Sequence, residues 1–319
     1  MTAHAMVVAE EITDRETTAM HPSAHTASAE IHWVDVFATR PLTGNPLAVI
    51  LCEAPWDDAR MQAMAAELGL SETVFAQRAP EPAVRIFTPT TEIPMAGHPL
   101  VGAAWVLHHQ EWIADRAVLR APGGDVAVAI RGSDAFVVPP APRHIADVDA
   151  HEIAALLGTT GTGTGTTPVW HAGLPQAMLA VDDPHALHPD HDALMALGIR
   201  DGWAGVSAYR VVDSSPGRIT AEVRHFAAPI GIPEDPVTGS AAGALGAVLA
   251  CAGHGESGLL NLDVRQGHSM GRPGEVRVIV GVTDGAPVTL EVGGTVVPVM
   301  SGVIGSTICL LYTSPSPRD

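Results

Sequence analysis

Two acids standing before a run of small apolar residues are the first chemistry visible in this chain. Pro229 to Cys251 reads PIGIPEDPVTGSAAGALGAVLAC, in which Glu234 and Asp235 follow proline and glycine punctuation. Thr238-Gly239-Ser240 then opens a stretch suited only to a buried helix. A helix starting near Ser240 presents unpaired N–H groups and the positive end of its dipole, a place for a carboxylate or phosphate. Asp235, just outside it, is placed to move a proton on whatever binds there. Taken alone, the segment is explained better by the plainer alternative, an Asp or Ser capping a core helix.

The order of features occurs twice, which changes that balance. Val84-Arg85-Ile86-Phe87 leads through Thr88-Pro89 to Ile93-Pro94-Met95-Ala96-Gly97-His98-Pro99, and a small-residue helix over Leu100–His109 follows. Val223-Arg224-His225-Phe226 leads through Ala227-Ala228-Pro229 to Gly239-Ser240-Ala241 and the second such helix. A repeated unit of this kind implies two similar domains whose helix starts face each other across a cleft.

The elements that must position these groups can be read along the chain. Ile31–Phe37 alternates as a half-buried strand, Thr43-Gly44-Asn45-Pro46 is a turn, and Leu47–Leu51 is an apolar strand. Asp57 or Asp58 caps a helix carrying Met61, Met64, Ala65 and Leu68, which Gly69 ends. Glu72 stands at the entry to a strand, where a solvated loop acid is the plain alternative, as a simple turn role is for Asn45. Strands follow at Ala117–Arg120, Val126–Ile130 and Ala135–Val138, and Pro139–Pro142 marks a boundary. Beyond it lie a helix at His151–Leu157, a low-complexity Gly/Thr loop over residues 159–167, strands at Val169–Trp170 and Ala177–Val181, and a helix at Asp192–Leu197 ended by Gly198. Val206–Val212 and Ile219–Phe226 bring the chain to the opening stretch; Leu260–Arg265, Val276–Val280, Val288–Val292 and Thr295–Met300 are four closing strands.

Whole-chain quantities set the limits. The 319 residues are 46% hydrophobic and 16% charged, so the chain is globular and can bury a sizeable core. A formal net charge of −18 argues against nucleic acid or an anionic membrane as partner. An anionic substrate then needs a local positive site, which helix starts provide without Lys or Arg. Cys52, Cys251 and Cys309 have no metal-site spacing and fit a reducing, cytoplasmic setting; the first two read as core residues. The sixteen histidines form no metal motif, so no metal is expected. Neither a membrane span nor a signal peptide is expected, residues 1–30 read as a disordered extension, and 309–319 as a non-native tail.

Several of these motifs together resemble the PhzF-like family, phenazine-biosynthesis isomerases with a diaminopimelate-epimerase type of fold. They are Asp35-Val36-Phe37, Gly44-Asn45-Pro46-Leu47-Ala48-Val49, Ser71-Glu72-Thr73-Val74-Phe75, Arg85–Pro89, Glu92–Pro99, Glu234–Ala241, Gln266-Gly267 and Met270-Gly271-Arg272. The resemblance implies an α+β fold of two pseudo-symmetric domains, 31–145 and 146–308, each a curved, mostly antiparallel sheet around a central helix. The last strands are allowed to return to the first domain. It implies Glu72 as acid/base, with His98 and Asp235 beside it, and Asn45, Gly97, Gly239 and Ser240 binding a small carboxylate. No cofactor is implied, and a homodimer is consistent with the family. Racemases of this fold carry a cysteine at each helix start; here His98 and Ser240 hold those places. The expected activity is therefore a proton-shift isomerisation. An amino-acid epimerase on the same scaffold, or a metabolite-binding protein without turnover, remains open.

Overall fold

The computed structural model describes residues 29–161, 165–255 and 258–305. The expected extension over 1–30, except for its last two residues, and the expected tail over 309–319 lie outside these, as does Cys309. The Gly/Thr stretch is described only in part. Ala29 and Glu30 already belong to the first strand, two residues earlier than the sequence reading placed it.

Seventeen strands and five α-helices are found among the described residues. In chain order they run β1 Ala29–Val36, β2 Asn45–Cys52, α1 Asp58–Leu68, β3 Thr73–Gln77, β4 Ala83–Phe87, β5 Glu92–Ile93, α2 Gly97–His109, β6 Arg116–Ala121, β7 Gly124–Arg131 and β8 Asp134–Val138. Then come β9 Arg143–Asp149, α3 Ala150–Leu156, β10 Thr166–His171, β11 Pro175–Ala180, α4 His191–Asp201, β12 Gly205–Ser215, β13 Arg218–Ala227, β14 Ile232–Asp235, α5 Gly239–Cys251, β15 Leu259–Gln266, β16 Gly274–Thr283 and β17 Ala286–Ile304. The fold is α+β and sheet-rich.

The strand pairings close a ring: β1, β2, β3, β4, β6, β7, β8 and β17 each bond to the next, and β17 returns to β1. Helix α2 packs against six of these strands. It fits because nine of its residues from His98 to Leu107 are buried and most are Gly, Ala, Val or Leu. Helix α5 packs in the same way against β10, β11, β15, β16 and β17. Both sets of apolar side chains belong to one continuous core, and at about 25 cal/mol per Å² buried that core is the main source of stability.

The pairing order repeats along the chain. β1–β2 antiparallel, β2–β3 parallel, β3–β4 antiparallel and β4–β6 parallel are matched by β10–β11, β11–β12, β12–β13 and β13–β15. Even a side-chain clamp repeats. Arg85 grips Glu92 through two hydrogen bonds of 2.7 and 2.6 Å, and Arg224 grips Glu234 through two of 2.9 Å.

Three local expectations need correction. Gly198 does not end α4, which runs on to Gly202; a Cβ at 198 would meet Pro229 and Trp203 at 2.3 and 2.7 Å, so the glycine serves close packing instead. The last two expected strands are one, β17, because its partner changes from β16 to β8 near Val292 without a turn. Cys251 is exposed, not core, since it is the last residue of α5; Cys52 is buried as expected.

Candidate active site

Glu72 immediately precedes β3, and its carboxylate Oε2 lies 3.5 Å from Nε2 of His98, the second residue of α2. Their side chains are 13% and 9% exposed. Neither of these two atoms makes a hydrogen bond, although both are buried. Unpaired buried polar atoms are costly and uncommon in a folded protein, so a facing pair of them marks a place built for something other than stability. Burial pushes the His98 imidazole below its usual pKa, while the Glu72 carboxylate pulls it upwards.

Asp235 ends β14, a short strand where the sequence pointed to a loop. Its Oδ1 accepts from Asn45 Nδ2 at 3.1 Å and its Oδ2 accepts from Thr238 Oγ1 at 2.5 Å. Burial raises its pKa from 3.8 to about 7; the Thr238 and Asn45 hydrogen bonds oppose this, and the nearby Glu72 charge adds to it. Asp235 is thus near enough to Glu72 for that charge to act on it. Glu234, the neighbouring acid, has a structural task. Burial works against its charge, but hydrogen bonds from Arg224 and Ser269 outweigh burial and hold it below the usual range.

Helices α2 and α5 begin side by side: a Cβ on Gly97 would lie 4.0 Å from the Ser240 backbone N. Neither start has a side-chain cap. Ala96 has nothing to offer, and Thr238 turns its hydroxyl to Asp235. Two sets of first-turn N–H groups thus converge with no capping oxygen, which leaves them to an anion. Each sequence-predicted site residue is accounted for in this region: Asn45, Glu72, Gly97, His98, Asp235, Gly239 and Ser240.

Two supporting residues went without a role in the sequence. Gln266 donates to the Asp235 carbonyl at 2.8 Å and to Thr238 Oγ1 at 3.0 Å, and accepts from Thr238 N at 3.2 Å. That pattern directs the Thr238 proton towards Asp235. Arg272, at the far end of the same β15–β16 loop, donates to Asp35 Oδ1 at 2.7 Å and to the Gly44 and Thr43 carbonyls. Asp35 is 1% exposed, so Arg272→Met strands a buried carboxylate. Urea unfolding is expected to show a loss of about 3 kcal/mol, most of it recovered when Asp35→Asn is added.

Among the described residues no group of three or more His, Cys, Asp or Glu side chains could hold a metal ion, and no helix is long and apolar enough to cross a membrane.

The family model described as phenazine biosynthesis-like protein, PhzC-PhzF, matches residues 34–302. The chain belongs to this family. It is 34% identical to an uncharacterized isomerase of Mesorhizobium japonicum, over 84% of this chain and 96% of that one. It is also 34% identical to the trans-2,3-dihydro-3-hydroxyanthranilate isomerase of Pseudomonas aeruginosa, over 75% of this chain and 86% of that one. A Bacillus anthracis protein of the PhzF family superposes with a TM-score of 0.76 at 21% identity, covering 87% of this chain and 99% of that one. A hydroxyproline epimerase from Agrobacterium vitis does so with 0.59 at 11% identity, over 87% and 92%, and so shares the fold alone. The enzymatic class is that of the relatives, an isomerase.

Proposed function

We propose that this isomerase moves a proton between two positions of a small unsaturated carboxylate, without a cofactor, using Glu72 as both base and acid. The observation that carries the reading is the Glu72–His98 pair, buried, 3.5 Å apart and unbonded, beside the two uncapped helix starts. The substrate carboxylate lies on the N–H groups of α2 and α5, where hydrogen bonds and helix dipoles hold it. Glu72 takes a proton from an activated carbon and returns it elsewhere on the same molecule. Neutral His98 and the carboxyl of Asp235 orient the amino or hydroxyl substituent. The site lies between two domains, 31–145 and 146–308, with β17 crossing back from the second to the first. The named substrate of the Pseudomonas relative, a cyclic amino hydroxy acid with ring double bonds, is the chemical class this arrangement fits.

A second reading has one specific support. Asp235 lies near Glu72 with a carboxyl near neutrality, so Glu72 and Asp235 could act as two bases on opposite faces of an α-carbon, giving epimerisation. Incubation in heavy water with trans-2,3-dihydro-3-hydroxyanthranilate and other unsaturated hydroxy and amino carboxylates separates the two, read by NMR and mass spectrometry. Deuterium at a new carbon with a displaced double bond is expected. Deuterium at an inverted α-carbon would favour epimerisation. Bound ligand without any exchange would sink both readings in favour of a binding protein.

A further inference from the structure

The repeated pairing lets the two halves be compared residue by residue. With Val84–Phe87 placed on Val223–Phe226, the β3–β4 and β12–β13 registers put Val74 opposite Ile86 where the second half has Ser207 opposite His225. The β2–β3 and β11–β12 registers then match Leu47 with Gln176, and Glu72 matches Gly205. Leu47, Val74 and Ile86 are each 0% exposed, and their counterparts Gln176, Ser207 and His225 are 1%, 0% and 1% exposed. Three apolar core residues in one half are thus three polar ones in the other, at equal burial. Burying polar groups without need is costly, so their connection has to be explained.

They lie in two pairs, the second of which reaches the candidate site. Ser207 Oγ lies 2.9 Å from His225 Nδ1, and Gln176 Nε2 donates to Ser240 Oγ at 3.4 Å. The gap between the two pairs is the space beside Gly205, where a Cβ would fall 2.7 Å from His225 Nε2 and 2.8 Å from Gln176 Oε1. Gln176 Oε1 is buried and makes no hydrogen bond, and His225 Nε2 faces the same small space beside Gly205, so it is the donor the geometry offers that oxygen. The direction of each bond follows from satisfying each group. The Ser207–His225 bond can run either way, according to the imidazole tautomer; only with the Ser207 hydroxyl donating to Nδ1 is an Nε2–H left for the unpartnered Gln176 oxygen. His225, kept uncharged by burial, then carries its proton on Nε2, facing the Gln176 oxygen. The Gln176 amide points its N–H at Ser240 Oγ, which accepts it with one of its two lone pairs and keeps its own proton to donate.

We infer that Ser207, His225 and Gln176 are positioning residues: a buried relay that fixes the Ser240 hydroxyl as a donor, so that the α5 side of the site selects a hydrogen-bond acceptor such as a carboxylate. The inference rests on Ser240 being a substrate contact, as proposed above, but its test does not need turnover. In protein labelled with ¹⁵N-histidine and free of ligand, His225 is expected as the Nε2–H tautomer, and an Nδ1–H tautomer would overturn the relay. Gln176→Glu supplies an acceptor of the same shape, which takes the Ser240 proton and reverses the last link. Titrated by NMR, anthranilate is expected to bind the unaltered protein at least tenfold more tightly than anthranilamide, which lacks the charge. Gln176→Glu should erase that preference, while His225 stays protonated on Nε2 and so reports an intact fold. Equal binding of the two probes to the unaltered protein, binding of neither, or an unchanged preference in the variant would each count against the assignment.

Discussion

In Glu72→Gln, exchange of substrate protons with solvent falls about a thousandfold, the scale on which a positioned general base contributes. The substitution is nearly isosteric, and the atom it alters, Oε2, has no hydrogen bond to lose, so the fold is expected to survive. Unfolding free energy should stay within about 1 kcal/mol of the parent protein. Ligand affinity should change little, since the carboxylate of the ligand is held by backbone N–H groups and not by Glu72. Loss of turnover with retained binding is the signature of a group used in the chemical step. The same variant has a second readout inside the protein. The Glu72 charge raises the pKa values of both His98 and Asp235, so its removal should lower both. Turnover within a few-fold of the parent would remove Glu72 from the mechanism. Lost turnover with unmoved neighbours would mean that the side chain sits elsewhere in solution.

The site was legible where chemistry and backbone punctuation coincide. GHP and EDPxTGSA each join a helix start to a titratable residue, and the structure puts those starts side by side. Asn45 was legible as a turn residue, but its contact with Asp235, 190 positions away, depends on the sheet and cannot be seen in local sequence. Gln176 offered no local signal. It sits after a proline in an otherwise apolar strand, and its meaning appears only when the strand registers match it with Leu47. The same reason explains the strand errors. β5 and β14 are short and gain their pairing from β4 and β13, so periodicity could not reveal them. β17 looked like two strands because Gly293-Gly294 reads as a turn, whereas in the sheet those glycines sit beside β8, where a Cβ on Gly293 would meet the Ala135 carbonyl at 2.2 Å. Helices α2 and α5 were legible throughout, because a helix so rich in small apolar residues is stable only inside a core.

Asp235 should make the stability of the protein depend on pH around neutrality. Its carboxyl titrates near 7 in the fold against 3.8 for an ordinary aspartate, so the folded state binds its proton more tightly than the unfolded chain does. The resulting stabilisation is complete below pH 3.8 and is lost as pH rises through about 7. Integrated over that window it amounts to at most about 4 kcal/mol, at 1.36 kcal/mol per unit. Other groups titrate too, so the useful quantity is the difference between the parent and Asp235→Asn, which has no proton to lose. Urea unfolding at pH 5 and pH 9 should show the parent losing up to about 2.7 kcal/mol more than the variant, the part of that window between pH 5 and about 7. At pH 5 the variant should be the weaker of the two, because one of the two oxygens that accept from Asn45 and Thr238 becomes an NH2 donor. At pH 9 the order should narrow or reverse. Activity should move in the same sense: the parent's kcat/KM falls through a limb near pH 7 that Asp235→Asn lacks, at a rate reduced overall. Parallel stability curves for the two proteins would show that Asp235 is ionised at ordinary acidity, with Thr238, Asn45 and solvent compensating its burial. In that case an orienting role for a neutral Asp235 carboxyl would have to be given up, and Glu72 would be left as the acid/base of the site.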